Sequence, residues 1–292
     1  MIITNLIGGL GNQMFQYAAA KSISVKYNTP LLLDIDGFHN YTLHNGFELK
    51  RVFNISAEIA SKAEKNQVLG IYSSEIIRKL LKRLNFGKLI PSFLVLEPSF
   101  KYWPKIINVP LDCYLDGYWQ SDKYFKEIEG VIRSDFDFQI PLSDENRYLA
   151  SIIENSNSIS LHIRRGDYAK DLKTLSTHGL CSIDYYDSAI GYILGKIQSP
   201  YFFIFSDDID WAKENIKLDF PCLFVNNNVR ENSYVDMQLM SMCKHNIIAN
   251  SSFSWWGAWL NKNESKVVVA PQKWFVSNLE IDDLIPENWV TL

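Results

Sequence analysis

Apolar and polar positions alternate over Ile159-Ser160-Leu161-His162-Ile163, the period-two pattern of a strand. Gly166 ends it, so Arg164 and Arg165 stand at the strand's C-terminal end, His162 and Arg164 in phase on one side and Arg165 on the other. Residues 201–205 are apolar at every position, as a strand covered on both faces is, and lead through Ser206-Asp207-Asp208 into a helix near Asp210. Further strands are predicted over 2–7, 31–33, 111–118, 223–225, 247–249 and 267–269. Helices are predicted over 13–27, 182–195, from Ser233 to about Cys243, and from Trp255 onward. Residues 56–90 read as a lysine-rich helical region with a solvated face. In the second half strand alternates with helix, which predicts an α/β fold with a doubly wound parallel sheet. The polar, turn-like stretch 141–147 is the expected boundary between domains 1–145 and 146–292.

Composition narrows the class. An apolar fraction of 47% with a net charge of −4 describes a globular chain and offers no general field for nucleic acid, so any anion site must be local. The four cysteines are scattered, which fits reduced thiols better than a disulfide framework or a zinc site. No apolar run approaches the ~20 residues needed to span a bilayer, and the N-terminus does not read as a signal peptide.

Two adjacent guanidiniums at the C-terminal end of an α/β strand suit a phosphate or diphosphate. Ligands bind at that end, and the planar fork donates two parallel bonds to an oxyanion. The alternative is a structural ion pair with Asp167 and its neighbours. Ser251, Ser252 and Ser254 precede a helix whose free amides favour an anion, although serine there is also a good cap. The Gly8–Gly11 turn is not a dinucleotide fingerprint, because Met14 stands where the third glycine would be. It is either an ordinary strand-to-helix turn, with Asn12 available as a cap, or a close approach to a ligand. Asp34-Ile35-Asp36, Asp135-Phe136-Asp137 and Asp208-Ile209-Asp210 could each be read as a metal motif, but the pattern is short and arises by chance. Trp255 and Trp259 lie one helical turn apart, with Gly257 and Ala258 permitting close packing on the sheet, so core packing is favoured over a sugar-stacking platform.

His162-x-Arg164-Arg165-Gly166-Asp167 resembles the signature shared by α-1,2-, α-1,6- and protein O-fucosyltransferases. Four more blocks accompany it: Gly8-Gly9-Leu10-Gly11-Asn12-Gln13-Met14-Phe15-Gln16-Tyr17, Gly117-Tyr118-Trp119-Gln120-Ser121, Phe205-Ser206-Asp207-Asp208, and Asn250 through Ala258. In this order, across nearly the whole chain, they are similar to glycosyltransferase family eleven, the α-1,2-fucosyltransferases. The resemblance implies a GT-B architecture, two Rossmann-like domains with parallel sheets facing a cleft. Residues 1–145 would then serve the acceptor and residues 146–292 would bind the GDP-sugar.

The resemblance further implies inverting transfer of L-fucose from GDP-L-fucose to a terminal galactose of a glycan. The donor is a substrate, and neither a cofactor nor a metal is expected. Arg164 stabilises the departing diphosphate, with Arg165 second and His162 beside them. Gly11 and Asn12 lie toward the donor sugar, and Asp207 accepts from guanine N1 and N2. Ser251 and Ser252 meet the distal phosphate, with Phe253 on the same turn. Asp236 is either a carboxylate near the donor or half of a capping box with Ser233. The general base stays open among Asp34, Asp36, His39 and His178. Another GDP-sugar transferase, or a catalytically silent glycan- or nucleotide-binding protein, remains an alternative. Without the Golgi anchor of animal members, a bacterial-type cytoplasmic enzyme is expected, with peripheral attachment to the inner membrane face left open.

Overall fold

The computed structural model describes residues 1–292 apart from 40, 42, 43, 75, 79, 81–89, 167, 168, 170 and 277–280, with 172 and 173 described by backbone alone. Asp167 and Tyr168 of the arginine motif therefore lie outside the described residues. The chain forms two compact units, 1–137 with 282–284, and 138–281 with 285–292. The division falls after Asp137, ahead of the expected 145. The polar stretch 141–147 instead opens a helix, because the Ser143 hydroxyl accepts from the Asn146 amide at 3.3 Å.

Unit 1 contains strands β1 (Ile2–Asn5), β2 (Leu31–Asp34), β3 (Glu58–Ile59), β4 (Leu94–Leu96) and β5 (Cys113–Asp116). They form one parallel sheet in the order β3-β2-β1-β5-β4. The chain runs outward from β1 to β3 and returns with β5 beside β1, so the topology reverses between β1 and β5. Helices α1 (Leu10–Tyr27), α2 (Leu49–Val52), α3 (Lys62–Leu69) and α4 (Glu129–Asp135) belong to the unit. Helix α1 starts three residues earlier than predicted, because the Gly9 carbonyl already accepts from the amides of Asn12 and Gln13 at 3.0 and 3.1 Å. Asn12 is therefore inside the first turn and does not cap it. Of residues 56–90, 75, 79 and 81–89 lie outside the described residues, and the others are not one solvated helix. They hold β3, the short α3 behind a Ser61–Glu64 capping box, and Lys65 buried in an ion pair.

Unit 2 begins with α5 (Asp144–Glu154) and continues through β6 (Asn157–Ile163), α6 (Leu172–His178), α7 (Ile183–Leu194), β7 (Pro200–Ser206) and α8 (Ile209–Asn215). Then follow β8 (Cys222–Val225), α9 (Tyr234–Met242), β9 (His245–Ile247), α10 (Ser252–Leu260), β10 (Val268–Ala270) and β11 (Val290–Thr291). The sheet order is β11-β10-β9-β6-β7-β8, all parallel. Its reversal lies between β6 and β9, the place where open α/β sheets hold ligands.

Both faces of β6 are covered. Ile159, Leu161 and Ile163 pack with Tyr185, Tyr186 and Ala189 of α7 and Ala212 of α8. On the other face the Asn246 amide donates to Ser160 Oγ at 2.7 Å and the Asn261 amide to Asn246 Oδ1 at 2.8 Å, which pairs the polar groups buried there. Helix α10 carries Trp255, Trp256 and Trp259, all buried. The Trp255 and Trp256 rings are 5.0 Å apart, and Trp289 lies 5.4 Å from Trp255. These indoles are core, so a sugar-stacking role is excluded for them. Gly257 admits a helix rather than the sheet: a Cβ there would lie 3.0 Å from Cβ of Met240 on α9.

Candidate active site

The arginine pair is held by the end of the neighbouring strand. Arg164 Nη1 lies 3.1 Å from Asp207 Oδ2, and the Arg165 backbone amide donates to Asp207 Oδ1 at 2.8 Å. Asp207 thus spans both residues with one oxygen each. Gly166 makes room for this: a Cβ there would come within 2.6 Å of Asp207 Oδ2, a collision. The job of capping α8 falls to Asp208, which accepts from the Trp211 amide at 3.3 Å. Arg165 goes the other way, as the strand phase predicted. Its guanidinium lies 3.9 Å from the Trp211 ring centroid and its Nε 3.8 Å from Asp208 Oδ2, so it braces α8. Arg164 and Asp207 remain about a fifth and a quarter exposed, open enough to meet a ligand.

The third strand end joins from β9. Ser251 caps α10 by accepting from the Phe253 amide at 3.3 Å, so its hydroxyl oxygen is already engaged. Ser252 and Phe253 open the helix. The Phe253 ring stands 6.0 Å from the His162 ring, across the reversal between β6 and β9. His162 is buried, and its pKa is pushed down to about 3, first by burial and then by Arg164, against the opposing pull of Asp207. The ring is thereby held neutral and can offer a hydrogen bond without adding charge. Asn250, on the same turn, donates to the carbonyls of His178 and Trp274 at 2.9 and 3.2 Å and fixes the turn's position.

Asp236 sits in the first turn of α9. The expected capping box is not formed, because Ser233 has helical dihedrals and makes no side-chain cap bond. Asp236 Oδ1 instead accepts from the Asn228 amide at 2.8 Å, and Asn228 is itself tied to Asn146. Burial raises the carboxyl's pKa to about 7, with the Asn228 bond pulling the other way. Asn228 carried no motif signal. Only its place after β8, ahead of α9, could have suggested it.

In unit 1 the motif residues gather at the β1/β5 reversal. Gln13 is buried and ties the first loops together, donating to the carbonyls of Gly8 and Gly46 at 3.0 and 2.8 Å and accepting from the Glu48 amide at 3.0 Å. Gln16 accepts from the Ile7 amide at 3.0 Å. Asn12 Oδ1 accepts from Gln120 Nε2 at 2.8 Å, which joins the N-terminal and middle blocks, while Gly11 is buried in the helix beside it.

Asp34 is withdrawn as a base. It is buried and accepts from Lys65 at 3.0 Å, Tyr114 at 2.6 Å and the Asp36 amide at 3.1 Å, so its oxygens are spent. Asp36 is exposed and paired with Lys65, and His39 is exposed with Nδ1 3.2 Å from the Asp36 carbonyl. The His178 ring packs 5.4 Å from Phe275. Asp135 of the second Asp-x-Asp accepts from Tyr17 at 2.7 Å and lies 3.6 Å from Lys21. Among the described residues no three His, Cys, Asp or Glu side chains are grouped to hold a metal.

The family profile of Glycosyl transferase family 11 matches residues 101–292. The chain belongs to glycosyl transferase family 11. This family 11 glycosyltransferase is 38% identical to an α-1,2-colitosyltransferase of Escherichia coli, over 100% of this chain and 99% of the relative. It is 37% identical to the O-antigen biosynthesis glycosyltransferase WbnK of Escherichia coli, over 98% of this chain and 99% of WbnK. In fold it is similar to the fucosyltransferase NodZ from Bradyrhizobium, with a TM-score of 0.50 at 14% identity over 88% of this chain and 91% of NodZ. The two Rossmann-like parallel sheets are thus those of a GT-B-like glycosyltransferase. No helix among the described residues is long and apolar enough to cross a membrane.

Proposed function

We propose that the protein is an inverting α-1,2-fucosyltransferase that moves L-fucose from GDP-L-fucose to a terminal galactose of a glycan. The observation that carries this is the Arg164–Asp207 pair at the unit 2 reversal, 3.1 Å apart and partly open, beside the Ser251–Phe253 turn. Displacement at the anomeric carbon puts negative charge on the departing diphosphate. A fixed guanidinium meets that charge without reorganising, which makes a metal redundant. Ser252 and the first amides of α10 serve the distal phosphate. Unit 2 holds the nucleotide and unit 1 the acceptor, with Gly11 and Asn12 toward the transferred sugar.

Base recognition moves to a different carboxylate from the one expected. Asp207 is already committed to Arg164 and the Arg165 amide, and a guanine edge would compete with both. Asp236 forms no cap bond and is oriented by a neutral amide, with no cation beside it among the described residues. Two donors from guanine N1 and N2 would supply the partners its ionised form lacks.

A second reading is transfer of a related deoxysugar, favoured by the 38% identical relative, an α-1,2-colitosyltransferase. Colitose is fucose without one ring hydroxyl, so the choice rests on a single polar group. The test is to offer GDP-L-fucose and GDP-colitose with a panel of β-galactosides and determine the product linkage. The proposal expects fucose joined at O2 of galactose. Exclusive use of the deoxy donor would select the second reading, and binding with no transfer to any acceptor would overturn both.

A further inference from the structure

At the unit 1 reversal, the first turn of α1 is tied to the turn after β5 by a side-chain bond, Gln120 Nε2 to Asn12 Oδ1 at 2.8 Å. The bond sets the Asn12 amide so that Nδ2 stands over Gly8, where a Cβ would lie 2.7 Å from it. Gln120 is only 7% exposed, and among the described residues its Oε1 has no hydrogen-bond donor. Buried amide oxygens seldom stay so unless a ligand or water serves them. The turn that carries Gln120 is also strained. Trp119, a bulky aromatic, sits at φ +55°, in the left-handed region. Glu97 holds it there, accepting from the amides of Tyr118 and Trp119 at 2.7 and 2.9 Å, and a Cβ on Gly117 would collide with Glu97.

We propose that the Asn12–Gln120 amide pair is a sugar-hydroxyl site. A ring O–H donates to Gln120 Oε1, and the same or the adjacent hydroxyl oxygen accepts from Asn12 Nδ2. Two neutral amides fit a neutral ligand. The acidic side chains at this reversal, Asp116, which accepts from Asn5 at 3.1 Å, and Glu97, disfavour an anion. The hydroxyl belongs to either the transferred sugar or the acceptor glycan. This site rests on the transferase reading above and adds the residue that reads the sugar.

The test is a cycle of variant against deoxy substrate. Gln120→Met keeps length and apolar bulk but removes both amide atoms. It should lower kcat/KM by ~10- to 100-fold, the range for an unmatched hydroxyl contact. One monodeoxy substrate should show the same deficit with unaltered protein and no further loss with the variant. A deoxy donor showing this identifies the transferred sugar, and a deoxy galactoside identifies the acceptor. Losses that multiply for every analogue would make Gln120 a loop brace and overturn the site, as would normal turnover by Gln120→Met. GDP affinity is measured in parallel. If unaltered protein fails to bind GDP, the transferase reading fails, and the two failures are distinct. Should Gln120→Met not bind GDP, the cycle is run on Gln120→Glu, with the same coupling required.

Discussion

At the unit 2 reversal stand Arg164, Arg165, Asp207, Asp208 and the capped start of α10. At the unit 1 reversal stand two amides, Asn12 and Gln120, and the strained Trp119 turn. The two sheets run the same way, each outward from a central strand and back beside it, and each opens a crevice at that point. The side chains there differ in kind. Charged forks fixed by carboxylates answer a diphosphate, whose charge must be met from preset positions. Neutral amides answer hydroxyls, where a charge would add desolvation without selectivity. Unit 1 has charges too: Asp116 and Glu97 at its reversal are engaged by Asn5 and by the Tyr118 and Trp119 amides, while Asp34 and Asp36 at the end of β2 share Lys65 of α3. In each unit topology places the crevice, and the side chains at its edge decide what enters.

The strongest way to break this contrast is to remove the unit 2 fork. Arg164→Ala should cost ~3 kcal/mol of transition-state stabilisation, roughly a hundredfold in kcat. Arg164→Lys should recover little, since an ammonium cannot span two oxygens. Turnover assays with saturating donor give the answer, and near-normal rates in both variants would remove Arg164 from the chemistry.

A smaller loss is expected from Gly166→Ala. The new methyl would stand 2.6 Å from Asp207 Oδ2, so the carboxylate must swing away from Arg164 and the Arg165 amide. The arginine stays but loses its orientation, and kcat should fall about tenfold, the effect of misplacing rather than deleting a stabilising group. An unchanged rate would show that Asp207 does not set the fork.

The next effect sharpens the assignment of Asp236. Its pKa near 7 means that the free protein holds a proton there below that pH, whereas guanine donors require the carboxylate. Binding must then expel the proton. GDP affinity should be flat above pH 7 and weaken as pH falls below it, by up to about tenfold per unit. Asp236→Asn should flatten the profile and narrow the preference for GDP over ADP. Calorimetric titrations from pH 5.5 to 8 test both, and an intact preference in the variant would return base reading to another group. The smallest expected effect is that of chelation. With Arg164 meeting the diphosphate, activity should persist in excess EDTA, and a full loss restored by manganese would require a metal the account does without.

Much of unit 2 could be read directly from the chain. Strands β6 and β7 are long, have clear periods and end in motif residues, so the Arg164/Arg165 divergence followed from strand phase alone. The short edge strands β3, β4 and β11, of two or three residues, show no period and were passed over. Helix α1 was placed late because Gly9 caps it through its backbone, with no side chain to mark the site. Lys65 looked like surface because its partners Asp34 and Asp36 are distant in sequence. Ser233 and Asp236 have capping-box spacing, yet a helical Ser233 cannot present its hydroxyl to the amides, so the pattern misled. The sequence does not hold the fact that Gly166 lets Asp207 reach back to Arg164 and the Arg165 amide.

If Arg164 meets the departing phosphate of a nucleoside diphosphate in the unit 2 crevice, GDP and GMP must differ at that residue. Calorimetric affinities of GDP and GMP for the unaltered protein and for Arg164→Ala measure this. GDP should bind the unaltered protein much more tightly than GMP, and Arg164→Ala should remove most of this gap while leaving GMP affinity nearly unchanged. A gap of the same size in the variant, or an equal loss for both nucleotides, would contradict that role of Arg164.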